Sequence, residues 1–421
     1  MERELLISAG PGEWRAALIE DGVPVELFVE RGDRSEAGSI HLGRVRRLVP
    51  ALGAALVDIG GARPAFLPRN ETVPRGRALH EGERLIVQIR HEAQGGKAAR
   101  VTERLRSTPV IARHPPFESP AEVRPETGDP AAEHAERYWR DLRNRAARLD
   151  PPARLEPLET FAVALAAALP KRPSRILVDE TAGVPDTRAA FADSAVEHLP
   201  ETEWPTTLDE VFAEALSETL ALAGTGSVHF ETTRAGTFID VDSGTPETGS
   251  PERIGLATNL AAAEAVARQA RLRNLGGAII VDFVGLDSRV SRERVRTALA
   301  EALSSDPAEP LILGWTRLGH LEIVRPRRGR PIAEALLERR PGGALVKSAL
   351  TVAHEALRAL RREARAQPGR QWRLRVAPDV EREMAGRAVA AMQYAEQRFA
   401  RNIVVEADLS CERDRFQISQ V

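Results

Sequence analysis

The sequence has few of the residues on which many other kinds of site depend. Its 421 residues include a single cysteine, Cys411, and only three lysines: Lys97, Lys171 and Lys347. One cysteine excludes an intrachain disulfide and any cysteine-based zinc site within one chain, and it is typical of a reducing compartment. Aromatic residues make up 4% of the chain. No apolar run approaches the ~18 residues that predict a membrane helix. We therefore expect a cytoplasmic protein that does not enter a membrane.

Arginine supplies nearly all of the positive charge. The formal net charge of -2 excludes a protein that is basic overall, so any nucleic-acid binding must come from a local surface. Residues 37–106 hold thirteen Arg or Lys against six Asp or Glu, a net charge of +7. A guanidinium fork suits phosphate oxygens better than an ammonium does. This segment is the predicted nucleic-acid contact, although genomic base composition also explains an excess of arginine.

The chain divides into segments of different pattern. Short alternating strands separated by glycine turns predict a β-meander at the start and then a small closed barrel up to residue 106. Residues 107–130 are rich in Pro, Glu and Gly and are predicted as a linker, and helical spacing follows. Beyond residue 171, strands alternate with amphipathic helices, among them one predicted from Thr206 to near Gly224. This pattern predicts an α/β layer with helices on one face of the sheet.

Acidic residues stand at the ends of two apolar strands. In "GTFIDVDSG" (236–244), Asp240 and Asp242 share a strand face because strand side chains alternate. Asp282 ends the strand "AIIVD". Converging carboxylates repel each other unless a divalent cation lies between them, and oxygen ligands favour Mg²⁺, with Mn²⁺ as an alternative. The structural alternative is that the first two acids make turn contacts and Asp282 caps the following helix.

Four stretches of the sequence carry a resemblance to a known family. The strand "GTFIDVDSG", the helix "NLAAAEAVARQARLRNLGG" and the strand "AIIVDF" occur in this order, and "GSIHLGRVRRLVPALGAALVDIGGARPAFLP" precedes them. This combination resembles the ribonuclease E/G family of bacterial endoribonucleases. The resemblance implies a Mg²⁺-dependent endoribonuclease that cuts single-stranded RNA to 5′-phosphate and 3′-hydroxyl ends. It makes Asp240 and Asp282 the metal ligands and Asp242 a third catalytic-site residue, where the family carries asparagine.

The resemblance also implies a fold: an α/β (α+β) multidomain chain in which an OB-fold barrel is inserted near the N-terminus of an RNase H-like domain. A DNase I-like catalytic domain and a small C-terminal α/β domain follow. The expected boundaries are 1–36 and 171–225 for the RNase H-like parts, 37–106 for the barrel, 107–170 for a linker with helices, 226–330 for the catalytic domain and 331–421 for the C-terminal domain.

RNA contacts are expected from the barrel and from the helix between the acids. Single strands are held by basic grooves with aromatic platforms. Phe66 is the only Phe, Tyr or Trp in residues 37–106, and Leu56 stands where relatives place a second phenylalanine. Phe66 is the candidate platform, the alternative being a barrel-core residue. The candidate phosphate contacts are Arg44, Arg46, Lys97, Arg100, Arg268, Arg271 and Arg273, although arginines on a solvated helix face need no function.

Two features of the family are missing. No cysteine pair follows the catalytic segment, so a zinc-linked dimer is excluded and no zinc is expected, while a homodimer formed by other contacts stays open. The segment nearest to the family's 5′-monophosphate sensor is "LVDETAGV", which has Glu180 in place of the sensor arginine. We therefore expect cleavage without 5′-end sensing. The alternatives are an inactive RNA-binding protein of the same family and, from the Asp-x-Asp pattern, a glycosyltransferase.

Overall fold

A computed structural model describes residues 2–31, 38–61, 63–91, 98–105, 130–155, 160–169, 171–224, 226–233, 235–245, 249–340, 343–398 and 403–421. The chain forms two compact units, one from residues 1–32 and 171–421 and the other from residues 33–170. Among the described residues, no helix is both long and apolar enough to span a bilayer.

The chain begins with an antiparallel meander of three strands, β1 (Arg3–Gly10), β2 (Glu13–Glu20) and β3 (Val23–Arg31). Asp21 and Gly22 connect the last two strands, and both have positive φ angles, 47° and 79°. A two-residue Asp-Gly loop of this kind matches the natural twist of a hairpin.

The second unit contains a closed barrel. Its strands are β4 (Ile40–Val49), β5 (Ala54–Asp58), β6 (Ala65–Pro68), β7 (Arg84–His91) and β8 (Arg100–Thr102). They pair in the order β5-β6-β8-β7-β4, and pairing of β4 with β5 closes the ring. The short β9 (Ala153–Arg154) pairs with β4, and the helices α1 (Pro130–Ala147) and α2 (Phe161–Ala168) belong to the same unit. The closed five-stranded barrel is consistent with the predicted OB-fold.

Two parallel strands extend the N-terminal meander. These are β10 (Arg175–Val178) and β11 (Ala195–His198), and the sheet order is β11-β10-β1-β2-β3. The helices α3 (Val184–Ala190) and α4 (Leu208–Leu216) follow in the chain. Thr207 caps α4 in a complete capping box with Glu210. The helix predicted up to Gly224 is too long, because residues 219–221 form an edge strand instead.

The third sheet carries the acidic motif. Its elements are β12 (Thr219–Ala221), β13 (Ser227–Thr232), β14 (Gly236–Asp242), α5 (Pro251–Leu272), β15 (Gly277–Asp282), α6 (Arg289–Leu303), β16 (Leu311–Trp315) and β17 (Leu321–Arg325). The strand order is β12-β13-β14-β15-β17-β16, with β14 and β15 parallel. Apolar residues of α5 and α6 pack on one face only, as predicted. The helix α5 ends at Leu272 with Arg273 as its C-cap, and Asn274, whose φ is 52°, takes the left-handed conformation that follows the helix.

The chain ends in a small α/β part. Its elements are α7 (Ile332–Leu336), β18 (Leu337–Arg339), β19 (Leu345–Lys347), α8 (Ala349–Ala366), β20 (Trp372–Val376), α9 (Pro378–Ala385), α10 (Val389–Arg398), β21 (Ile403–Ala407) and β22 (Phe416–Gln420). The structure is thus a mixed α/β protein with a barrel, as the sequence indicated. The names RNase H-like and DNase I-like stay predictions.

Candidate active site

Asp240 and Asp282 lie side by side on the open face of the third sheet. They are direct register partners on the parallel strands β14 and β15, and Asp282 is the last residue of its strand. Neighbouring strands are about 4.8 Å apart. Along β14, buried and exposed side chains alternate. The helices bury Thr237, Ile239 and Val241, so Asp240 points to the exposed face.

Neither acid of this pair has an arginine or lysine partner in the part of the chain that the structure describes. Nε2 of His320 lies 3.6 Å from Oδ2 of Asp282. The Asp282 side chain is 58% exposed. Like charges on directly opposed strand positions destabilise a sheet. The pair therefore has unbalanced negative charge that is open to an approaching cation.

Asp242 lies on the same sheet face as Asp240 but is not paired with Asp282. It lies two residues beyond Asp240, and its Oδ1 accepts a hydrogen bond of 2.7 Å from the backbone N–H of Gly244. The turn contact expected as the structural alternative is therefore present for this residue. Asp282, by contrast, does not cap the next helix, since Ser288 fills that position.

A cluster of three acids is not formed. Within the described ranges, no group of three or more His, Cys, Asp or Glu side chains has the arrangement of a metal site. The structure thus brings together Asp240 and Asp282 as a pair, with Asp242 engaged in the turn at its side.

Two histidines, which the sequence analysis did not single out, extend the row on both sides. His229 is the register partner of Asp240 on β13, and His320 stands just before β17, beside Asp282. The ring nitrogens of His229 bond the hydroxyls of Thr219 and Ser227, each at 2.9 Å. Strand alternation alone would have placed His229 on the face of the acids.

Arg271 is not available to RNA, which corrects its assignment as a phosphate contact. Its side chain is only 5% exposed, and its guanidinium donates to Glu20 at 2.9 and 3.0 Å and to Glu26 at 3.3 Å. These acids come from the N-terminal meander, so Arg271 joins α5 to that sheet.

Arg273 and Arg268 also have structural partners. Arg273 is buried, lies 4.0 Å from the centre of the Phe230 ring and donates to the carbonyl of Ser217 at 2.7 Å. Burial lowers the pKa of Arg273 to about 10. Arg268 pairs with Glu214 and donates to the Pro24 carbonyl at 3.2 Å. The helix face that carries these arginines is therefore packed against protein, and the Arg268 side chain is 25% exposed.

Phe66 lies on the outer surface of the barrel. Its neighbours Ala65 and Leu67 are fully buried in the core, whereas Phe66 is half-buried. Leu56 and Arg100 are its register partners on the two adjacent strands, and Arg47 is opposite Leu56. An aromatic ring with arginines along the same row is the arrangement that single-strand binding proteins use.

The other barrel cations differ in their availability. Arg46 is 60% exposed and pairs with Asp58 at 2.5 Å, while the exposed Arg44 is opposite that aspartate in register. The backbone N–H of Gly60 and the Arg46 side chain lower the pKa of Asp58. Lys97 lies outside the described residues.

The segment nearest to the expected 5′ sensor has an acid in a buried ion pair. Glu180 follows β10 and is 3% exposed. Arg365 donates to it at 2.6 Å and Arg361 at 3.3 Å. An acid enclosed in this way cannot replace an arginine that binds phosphate.

Comparison with known proteins agrees with these motifs. Residues 121–328 match the model of the ribonuclease E/G family. Ribonuclease G of Escherichia coli is 26% identical, over 99% of this chain and 99% of the relative. Ribonuclease G of Haemophilus influenzae is 27% identical over 84% of this chain and 86% of the relative. Ribonuclease E of Synechocystis sp. is 27% identical over 73% of this chain and 55% of the relative.

The first alignment also shows a difference in length. It extends over 494 positions, more than the 421 residues of this chain, so the Escherichia coli protein has segments without a counterpart here. The family match and the near-complete alignment nevertheless agree with the motifs found in the sequence. This chain is thus similar to the ribonuclease E/G family in its motifs and along nearly its whole length.

Proposed function

We propose that this protein is a divalent-cation-dependent endoribonuclease that cuts single-stranded RNA at the pair formed by Asp240 and Asp282. The observation that carries the proposal is the direct register of the two carboxylates on an open sheet face, without an arginine or lysine partner among the described residues. Similarity to the ribonuclease E/G family supports an endoribonuclease, a hydrolase. It also disfavours the glycosyltransferase that the Asp-x-Asp pattern allowed.

The two carboxylates fit Mg²⁺ or Mn²⁺. Both are hard oxygen donors, and Mg²⁺ in such sites uses one or two carboxylates together with substrate phosphate and water. Zinc is disfavoured, because zinc sites use three or more Cys, His or carboxylate ligands and no such group is found among the described residues. When bound, such a cation polarises the scissile phosphate and activates water.

The residues of the chain itself have two roles in this proposal. Asp240 and Asp282 hold the cation at fixed strand positions, so little reorganisation is needed when RNA arrives. Asp242 adds negative charge where relatives have asparagine, which tightens cation binding or changes the preferred metal. The same substitution is the reason to keep a weakly active or inactive RNA-binding protein as the second candidate.

The barrel is proposed as the surface that holds the RNA strand. Phe66 supplies a face for base stacking, and the surrounding arginines neutralise phosphates. We further propose products with a 5′-phosphate and a 3′-hydroxyl, no sensing of the 5′ end, and a cytoplasmic location. A homodimer, if formed, is not joined by zinc.

Cleavage of labelled single-stranded RNA tests this function. Wild-type protein should cut with Mg²⁺ and not with EDTA, and Asp240→Ala and Asp282→Ala should each lower the rate at least a hundredfold, as for removal of an essential group. Asp287→Ala is the matched control, because this exposed aspartate lies five residues after the pair. Cleavage that survives chelation and both substitutions would exclude the metal mechanism, and binding without cleavage would support the second candidate.

A further inference from the structure

The open face of the third sheet carries an exposed aromatic ring beside the acidic pair. Phe238 is 46% exposed and lies two residues before Asp240 on the same side of β14. That spacing corresponds to about 7 Å along a strand. Ile280, the register partner of Phe238, lies two residues before Asp282 and is half-buried. An apolar row thus runs directly alongside the row of carboxylates.

Acidic side chains end this apolar row on both sides. Glu231 is opposite Phe238 on β13, and Glu322 is opposite Ile280 on β17. Among the described residues neither glutamate has an ion-pair partner. Their charge repels phosphate from the row, while their oxygens can accept hydrogen bonds from the N–H groups of a base. The row therefore suits a nucleobase rather than the RNA backbone.

We propose that Phe238, with Ile280 beside it, is a stacking site for the base of a nucleotide next to the scissile phosphate. The proposal rests on the proposed function, since the phosphate of that nucleotide must lie at Asp240 and Asp282. A base is joined to its phosphate through one ribose, a span that suits the separation between the two rows. Stacking on an aromatic ring accepts any base, so the site fixes position more than sequence.

An abasic series measures this contact. A single-stranded oligoribonucleotide with one cut site is prepared with each nucleotide near the cut replaced in turn by an abasic one. With wild-type protein, one abasic position should lower the cutting rate about tenfold, the size expected from the loss of one stacked base. Phe238→Ala should lower the rate on intact RNA by a similar factor, and the abasic position should then have no further effect. Phe238→Trp should restore both the cutting rate on intact RNA and the effect of the abasic position.

Leu311→Ala is the matched control, because Leu311 is 62% exposed on the same sheet but lies two strands away from β15. It should leave the abasic profile unchanged. An abasic penalty in Phe238→Ala that equals the wild-type penalty overturns the proposal. A second result also overturns the proposal: Phe238→Ala changes the oligomeric state, measured by analytical ultracentrifugation, but leaves the abasic profile as in wild type. The apolar row is then a contact between copies of the protein.

Failure of the proposed function gives a different result. If wild-type protein does not cut RNA, or if Asp240→Ala cuts equally well, the nuclease account fails whatever Phe238 does. The same abasic oligonucleotides are then tested for binding by fluorescence anisotropy. A position-dependent loss of affinity in wild-type protein that is absent from Phe238→Ala supports the stacking site, and equal affinities for all oligonucleotides overturn it.

Discussion

Asp240 and Asp282 occupy paired positions on adjacent parallel strands and have no arginine or lysine partner among the described residues. In this sequence arginine is abundant and buried acids are enclosed by guanidinium groups, as Glu13 is. An acidic pair that remains unbalanced on an open surface therefore lowers stability in the absence of a cation.

Replacement of one of these acids should have opposite effects on stability and activity. Asp282→Asn removes the repulsion, so the metal-free variant should be equal to wild type in unfolding free energy or more stable by up to about 1 kcal/mol. Its RNA cleavage should be lost. Addition of Mg²⁺ should raise the melting temperature of wild type and not that of the variant. A metal-free variant that is clearly less stable would show that the pair has a structural role.

The buried ion cluster around Glu13 should be essential for folding. Glu13 is fully buried and accepts from Arg15 at 2.7 Å and from Arg31 at 2.5 Å, with Arg358 as a third partner. Burial alone would raise the pKa of Glu13, but the three arginines together hold it well below its usual range. Glu13→Ala leaves these charges uncompensated and should cost about 3–5 kcal/mol in urea unfolding.

The control for that experiment is an exposed ion pair. Glu293 pairs with Arg296 at 2.5 Å on the surface of α6. Glu293→Ala should leave the free energy of unfolding essentially unchanged. Equal effects of the two substitutions would contradict the importance of the buried cluster.

His354 should make the protein sensitive to acid. Burial, with smaller contributions from Arg31 and Arg358, lowers the pKa of His354 to about 4. Nδ1 of His354 lies 3.1 Å from the Pro11 carbonyl oxygen. The unfolded chain takes up the proton near pH 6.5 and the folded chain only near pH 4, so the stability contributed by the neutral ring is lost as pH falls through this window. The loss at pH 5 should be about 2 kcal/mol.

Urea unfolding at pH 7 and pH 5 measures this effect. His354→Gln keeps a polar group at the site without the titration, so its stability should decrease less between the two pH values than that of wild type. The same decrease in both proteins would assign the acid sensitivity to other groups.

The outer row of the barrel should contribute to RNA affinity. Phe66→Ala removes a stacking face and should weaken binding of single-stranded RNA by about 1–3 kcal/mol, measured by fluorescence anisotropy at fixed salt. Arg100→Ala removes one phosphate contact, so the slope of the logarithm of the binding constant against the logarithm of salt concentration should become shallower by about one. Leu52→Ala, at a 67% exposed site outside the row, is the control and should bind as wild type does. If Phe66→Ala binds RNA with unchanged affinity, the outer row of the barrel does not contact RNA.

Cleavage should not depend on the 5′ end of the RNA. Glu180 is buried and paired with Arg361 and Arg365, so the segment nearest to the family's sensor presents an enclosed acid instead of a cation. The same RNA carrying a 5′-monophosphate or a 5′-triphosphate should be cut at rates within about twofold, a difference of less than 0.5 kcal/mol. A clear preference for the monophosphate would show that another part of the chain binds it.

The sequence predicted the strands that carry the site residues, but it did not predict which strands pair in which register. Alternation along β14 correctly placed Asp240 and Asp242 on one face, and the apolar run before Asp282 correctly predicted a strand that ends in an acid. The direct register of the pair depends on how the chain crosses from β14 through α5 to β15, which local patterns do not determine.

Long-range contacts explain the assignments that the structure corrects. Arg271 looked available on a helix, but its partner Glu20 comes from a strand about 250 residues earlier. The helix predicted up to Gly224 is shorter because residues 219–221 pair with β13, and tertiary pairing overrides local helical pattern. Phe238 was missed although alternation puts it on the face of Asp240.

Direct measurement of cation binding at the acidic pair is the sharpest test of the account. Mn²⁺ binding is followed by electron paramagnetic resonance in wild type, Asp240→Asn, Asp282→Asn and the control Asp287→Asn. We expect one bound Mn²⁺ per chain in wild type and in the control, displaced by excess Mg²⁺, and loss of that site in both Asp240→Asn and Asp282→Asn. Equal Mn²⁺ binding in all four proteins would contradict it.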